Sequence, residues 1–284
     1  MRYLLVLLVV AAFSFAADPY TDASPNPGLP GGVAPEAFLD PLDYIDLEAL
    51  GASVYCVGVG FDGTNLWVTD GAESGGVGDN MIHVIGIDGT LVNSVMQNNT
   101  SGWGLRDLCW DGTYMYGSES TTVQYYDSNV VKQGSYTCAA SNPNRAQGWD
   151  GTYFYTGSFS TTIYQVTWNG VSGSSATYTT FSNAVANGGL YGLALDDYNN
   201  CWWASTASSD YQIYQIDTSG TLINAFTYTI ATAGGCTPGY LDGYPGQTQL
   251  WVLEQGTPDA LHCLWLQEPG ALERDTWAGI KTLF

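Results

Sequence analysis

The sequence predicts an all-β protein: a five-bladed β-propeller of four-stranded antiparallel blades, with an N-terminal strand closing the last blade. Three observations lead there. A large apolar residue followed by an Asp turn recurs five times, at steps of 49, 39, 46 and 46 residues. Each turn is followed by two further short strands rich in aromatic and β-branched residues. No stretch within 52–268 keeps a helical period over ten residues. Four strands in some 40–50 residues, repeated along a chain, is the pattern of a propeller blade.

The turns read Phe61-Asp62-Gly63-Thr64, Trp110-Asp111-Gly112-Thr113, Trp149-Asp150-Gly151-Thr152, Leu195-Asp196-Asp197 and Leu241-Asp242-Gly243. Asp-Gly between strands is a hairpin signal, because Gly tolerates positive φ and the Asp side chain bonds the turn amides. Second strands follow at 66–69, 114–116, 153–155, 202–205 and 250–253, and third strands at 84–88, 123–127, 163–167, 213–217 and 263–267. A more variable fourth strand follows, as at 91–95 and 222–226. The last repeat supplies only three strands before Pro269, while 44–50 upstream is a strand without a blade. That segment is therefore expected to complete blade five and join the ends of the ring. Cys56 and Cys236 each stand five residues before their Asp-turn hydrophobe in the blades that meet at this seam, and a Cys56–Cys236 disulfide is expected across it.

The flanks divide the chain further. Residues 1–16 have the Arg2 n-region, a short apolar core and small residues before a cleavage point at Ala16/Ala17, which predicts a secretory signal peptide. Residues 17–40 form a Pro/Gly-rich arm, with five Pro, three Gly and no basic residue between Asp18 and Asp40. The propeller occupies 41–269. The tail, 270–284, carries Leu272, Trp277, Ile280 and Phe284 at spacings that suit a short capping helix.

Charge excludes some functions. The chain has 27 acidic and 6 basic side chains, a net charge of −21, so it offers nothing to replace the counterions of a nucleic acid. Loss of Arg2 with the signal leaves 5 basic residues and −22. With 45% apolar and 12% charged residues it is not a disordered acidic chain, and no later segment is apolar enough to insert in a membrane. Six cysteines suit an oxidising destination, secreted, extracellular or at the cell surface, and allow 15 connectivities, with several buried free thiols as the alternative reading.

The FDGT-LW and WDGT-Y-Y phrases with the IYQID strand resemble blades of secreted bacterial propellers with NHL-like or glutamine-cyclotransferase-like repeats, over nearly all of 41–267. The matching residues mark hairpins and core aromatics, so the resemblance implies the fold. Some members of that group are enzymes and many are binding or surface modules.

Chemistry-bearing residues are few. His83 and His262 share one position of strand three in blades one and five, on the polar face of an alternating strand, which reads as ordinary blade surface. No nucleophile elbow, HExxH helix, phosphate loop or EF-hand loop occurs. No metal or cofactor is therefore expected. Ca²⁺ stays open only at oxygen-rich places: the turn Asp residues, already explained by hairpins, and Glu36, Asp40, Asp43, Asp46 and Glu48. Arg106 and Arg145 each lie four residues before the Trp of their turn, in adjacent blades, on strands that line the channel. With Trp103, Asp107 and Tyr191 nearby they form a candidate ligand site at the channel mouth. The pair could clamp a carboxylate or sulfate while the aromatics stack on a sugar. Alternatively, each Arg pairs with a neighbouring Asp. The 39 aromatic residues are read mainly as packing between blades.

These features favour a secreted, non-catalytic structural or interaction module, self-assembling into a filament or surface layer through the arm at 17–40. A carbohydrate-binding propeller recognising surface glycans is the alternative, and a lyase or cyclotransferase, with Asp107 as its acid–base group, the third.

Overall fold

The computed structural model describes residues 39–266, apart from 53–54, 72–79, 99–101, 186–188, 208–211, 229–232 and 240–248. Strand β1 (Pro41–Asp46) precedes blade one: β2 (Cys56–Phe61), β3 (Asn65–Asp70), β4 (Met81–Gly86) and β5 (Leu91–Met96). Blade two is β6 (Leu108–Trp110), β7 (Met115–Ser118), β8 (Thr122–Tyr126) and β9 (Lys132–Thr137). Blade three is β10 (Ala146–Trp149), β11 (Phe154–Gly157), β12 (Ile163–Thr167) and β13 (Thr177–Ser182). Blade four is β14 (Leu190–Asp196), β15 (Cys201–Thr206), β16 (Ile213–Asp217) and β17 (Leu222–Phe226). Blade five takes β18 (Ala233–Gly239), β19 (Gln249–Glu254) and β20 (Ala260–Trp265). All five sheets have four antiparallel strands, and no helix occurs among the described residues.

The fifth sheet runs β1-β20-β19-β18, so the N-terminal strand does close the ring. It lies earlier in the chain than 44–50. Asp46 Oδ1 accepts the Ala49 amide, and Leu47 O accepts those of Leu50 and Ala52, turning the chain where the sequence suggested more strand. Tyr44 faces His262 in the register, and Leu47 N bonds Asp259 O to continue the seam.

The Asp turns do more than reverse the chain. In blade one, Asp62 Oδ1 accepts the amides of Thr64 and Asn65 at 2.8 and 2.7 Å, while Oδ2 takes Trp67 Nε1 at 2.8 Å. Asp111 holds the Thr113 and Tyr114 amides and the Tyr116 hydroxyl, and Asp150 those of Thr152, Tyr153 and Tyr155. The carboxylate thus ties the hairpin to the aromatic residue five positions on, which packs between blades. Blade four keeps the device in a longer turn, with Asn200 at φ 53° and Asp196 Oδ2 bonded to Trp203 Nε1 at 3.0 Å. The fifth turn, at Asp242, lies outside the described residues.

The core is a set of five layers between blades. Layer one/two packs Trp67, Ile82 and Val84 on Leu105, Leu108 and Met115, and layer two/three packs Tyr116, Tyr125 and Tyr136 on Phe154 and Val166. Layer three/four is built around Tyr155, Leu193 and Trp202, and layer four/five around Trp203, Ile213, Cys236 and Leu250. The seam layer joins Ile45, Trp251 and Leu261 to Cys56, Val59 and Leu66. This geometry overturns the expected disulfide. Cys56 pairs with Asp70 at the start of β2, whereas Cys236 pairs with Val252 in the middle of β18, so the two stand at different levels of neighbouring blades. Cys56 ends in the seam layer and Cys236 in the layer one blade back. All six cysteines are buried outside any disulfide, and burial pushes every one of them up, away from reactive thiolate.

Candidate functional site

The inner strands β2, β6, β10, β14 and β18 crowd the axis. A Cβ at Gly58 would overlap the Arg106 carbonyl, and one at Gly192 the Cys236 amide, so only glycine lets neighbouring backbones approach this closely. At the centre stands Asp107, with no exposed surface. Its Oδ2 accepts Leu193 N of blade four at 2.9 Å and Gln147 N of blade three at 3.2 Å. The amides of Leu108 and of Val59, from blade one, also face the carboxyl, and a Cβ at Gly235 of blade five would collide with Oδ1. One carboxyl therefore meets all five blades. Burial outweighs those amides and raises its pKa well above the usual carboxylate range.

Arg106 and Arg145 begin the inner strands of blades two and three at one mouth of this closed channel. Arg106 N bonds Ser118 O and Arg145 N bonds Gly157 O, fixing both backbones. The side chains are 8% and 3% exposed, yet neither guanidinium makes an ion pair among the described residues, and both Nε atoms lack a hydrogen-bond partner. Arg145 Cζ lies 3.4 Å from the Tyr191 ring centroid and 5.2 Å from that of Phe159. Arg106 Cζ lies 5.4 Å from the Trp103 ring, which meets Tyr55 edge-on. Desolvation lowers the Arg106 pKa to about 10 and the Arg145 pKa to about 9, with Arg106 adding repulsion on Arg145. Both stay cationic at neutral pH, so the shift measures how poorly these charges are compensated. Glu119 helps Arg106 only from beyond salt-bridge distance.

The structure thus brings Arg106, Arg145, Trp103 and Tyr191 to one mouth and encloses Asp107 beneath them. The alternative in which each Arg pairs with an Asp is not what the described residues show. Sequence reasoning missed Phe159 and Tyr55: Phe159 sits in a Ser-Phe-Ser loop between strands two and three that no repeat marks.

The histidines are not open blade surface. His83, 4% exposed, places Nε2 3.0 Å from Asp70 Oδ2 and Nδ1 2.9 Å from Ser94 Oγ. His262, 9% exposed, places Nε2 2.7 Å from Glu254 Oε2. Asp70 and Glu254 each end strand two of their blade, so one carboxylate–imidazole pair recurs in blades five and one. The alternating pattern marked a polar face, but a neighbouring strand and loop cover it. Of the acidic group around β1, Glu36 lies outside the described residues, Asp43 and Asp46 bond nearby amides, and Glu48 accepts the Asp259 amide.

No protein-family model matches the chain, and no curated protein matches it in sequence. Among solved structures, the glutaminyl cyclase of Myxococcus xanthus aligns with a TM-score of 0.58 at 10% identity, over 82% of this chain and 98% of that one. A nidogen/laminin complex aligns at 0.45 and 11% identity, covering 74% and 82%, and a mitotic checkpoint complex at 0.43 and 12%, covering 84% and 98%. The first likeness shows the fold alone. The NHL-like half of the resemblance finds no matching family model.

Proposed function

We propose that this chain is an exported, non-catalytic binding propeller whose channel mouth takes a carboxylate- or sulfate-bearing ligand with a ring-shaped body, an acidic carbohydrate being the class that suits both parts. One observation carries this reading: two guanidinium groups are buried side by side with no ion pair among the described residues. Burying an unpaired charge is destabilising, and a protein that retains two has a site an anion would complete. A bound carboxylate would accept from both forks, while Trp103, Tyr191 and Phe159 offer ring faces beside it. Asp107 supports the non-catalytic part, because its carboxyl is sealed among backbone amides and cannot reach a ligand at the mouth.

Titration calorimetry with oligosaccharides containing glucuronic acid, against neutral oligosaccharides of equal length, tests this. Binding of the acidic series, weakened at least about tenfold by Arg145→Ala or Trp103→Ala, is expected. Absence of binding across acidic and neutral glycans would contradict it.

A second reading, assembly with further copies, has its own observation. The outer strands of blades one and four expose Val92, Met96 and Ile223 at 59, 57 and 53%, which leaves apolar edges open to strand addition. The arm invoked for this, 17–40, lies outside the described residues except for Leu39 and Asp40. Light scattering of the protein with and without 17–40 tests it: loss of a polymer on deletion is expected, and a monomer in both forms would refute it.

A further inference from the structure

The layer between blades two and three opens to the surface. Its rings touch one another, with centroids 4.4 Å apart for Trp149–Phe154 and 5.5 Å for Tyr125–Trp168, and line a pocket of about 370 Å³ on the Asp-turn face. Six aromatic side chains line it: Tyr114, Tyr116, Tyr125, Trp149, Phe154 and Trp168. Tyr116, Tyr125 and Phe154 are buried and form its floor, whereas Tyr114, Trp149 and Trp168 are half-buried walls. The rings are inclined to one another: 59° between Tyr114 and Tyr125, 74° between Tyr116 and Trp168, 51° between Tyr125 and Trp168 and 41° between Trp149 and Phe154. They therefore present ring faces in several directions rather than one flat platform.

The polar atoms of these rings are turned into the protein. Tyr116 donates to Asp111 Oδ2 at 2.8 Å, Trp168 Nε1 to Ser174 Oγ and Val171 O, and the Tyr125 hydroxyl lies over Gly134. A ligand there meets ring surface together with comparable polar surface, to which Thr113, Thr152 and Asp111 contribute. No basic residue lines the pocket, and the whole chain carries −21. A sugar needs a flat stacking face and several hydrogen bonds. A compact cation whose charge is spread over methyl groups needs neither, and gains from ring faces on several sides and a carboxylate at the wall.

We propose that this pocket binds a quaternary ammonium group, with its methyls against the rings and Asp111 supplying the counter-charge. The site is separate from the Arg mouth and does not depend on the function proposed for it.

The test is titration of the whole protein with choline, followed by tryptophan fluorescence and calorimetry. The neutral isostere 3,3-dimethylbutan-1-ol and methyl β-glucoside serve as comparison ligands, and Nε-trimethyllysine as the arm that separates free choline from a modified side chain. Choline or trimethyllysine should bind saturably and at least about tenfold more tightly than the neutral alcohol. Tyr114→Ala and Trp149→Leu should each weaken binding about tenfold. Asp111→Asn, which keeps an oxygen acceptor in the turn, should weaken it with little change in fold, and Arg145→Met should leave it unchanged. Equal affinity for the neutral alcohol, preference for the glucoside, or no binding by either ammonium compound would overturn the proposal.

Discussion

The two ends of the channel treat charge in opposite ways. On the Asp-turn side, each described turn carboxylate accepts two amides and a ring N–H or O–H. On the other side, Arg106 and Arg145 are buried against aromatic faces and make no ion pair among the described residues. The first arrangement repeats blade after blade and stabilises the ring. The second occurs in two adjacent blades and works against stability. The comparison teaches that the carboxylate turns recurring with the blade hold this fold, whereas the Arg pair, which departs from the repeat, is where an anionic ligand is expected.

The largest effect should come from between the two ends. Asp107→Leu leaves the Leu193 and Gln147 amides buried without an acceptor, and at about 1–3 kcal/mol for each orphaned group the ring should lose several kcal/mol in urea titration. Asp107→Asn keeps an acceptor and should fold with near wild-type stability. The sign of the pH dependence separates the two carboxyl states. Because the folded pKa of Asp107 is raised, its favourable contribution is complete below the unfolded value and is lost as pH rises through the folded value. Relative to Asp107→Asn, the wild type should therefore weaken as pH rises from about 4 towards that raised folded value.

Next comes the turn device. Asp111→Ala removes two amide acceptors and the partner of the Tyr116 hydroxyl, and should cost about 2–3 kcal/mol by chemical denaturation. An effect below about 0.5 kcal/mol would mean that the turn does not need its carboxylate. Arg145→Met should act in the other direction, raising stability by about 1 kcal/mol once the lost ring contact is set against the removed desolvation. Smallest of all, reducing agent should leave the thermal midpoint unchanged, since the described cysteines are free; a clear fall would mean that a disulfide forms in the purified protein.

Much of the ring was legible because its signals are local and repeated. Asp, Gly and an aromatic five residues on mark a turn and its anchor, and their spacing counts the blades. The closing strand could be inferred from a missing fourth strand, although its end could not, because the Asp46 turn depends on contacts with Asp259 across the seam. The cysteine pairing failed for a related reason: equal spacing from the turn did not survive as equal register, because Cys56 pairs with Asp70 and Cys236 with Val252. At the site, counting from the turn placed Arg106, Arg145 and Tyr191 on one level. It could not show that Asp107 lies inside the ring, since that follows from close approach of glycines on other blades. Nor could it show that the blade two/three rings line a pocket.

The most direct test of the central claim is the thermal midpoint of the wild type and Arg145→Met, each with and without a glucuronate oligosaccharide. An uncompensated anion site predicts that the ligand raises the wild-type midpoint, and that the variant starts higher and does not respond. A variant that starts lower, together with a wild type indifferent to the ligand, would show Arg145 to be a structural residue and contradict the account.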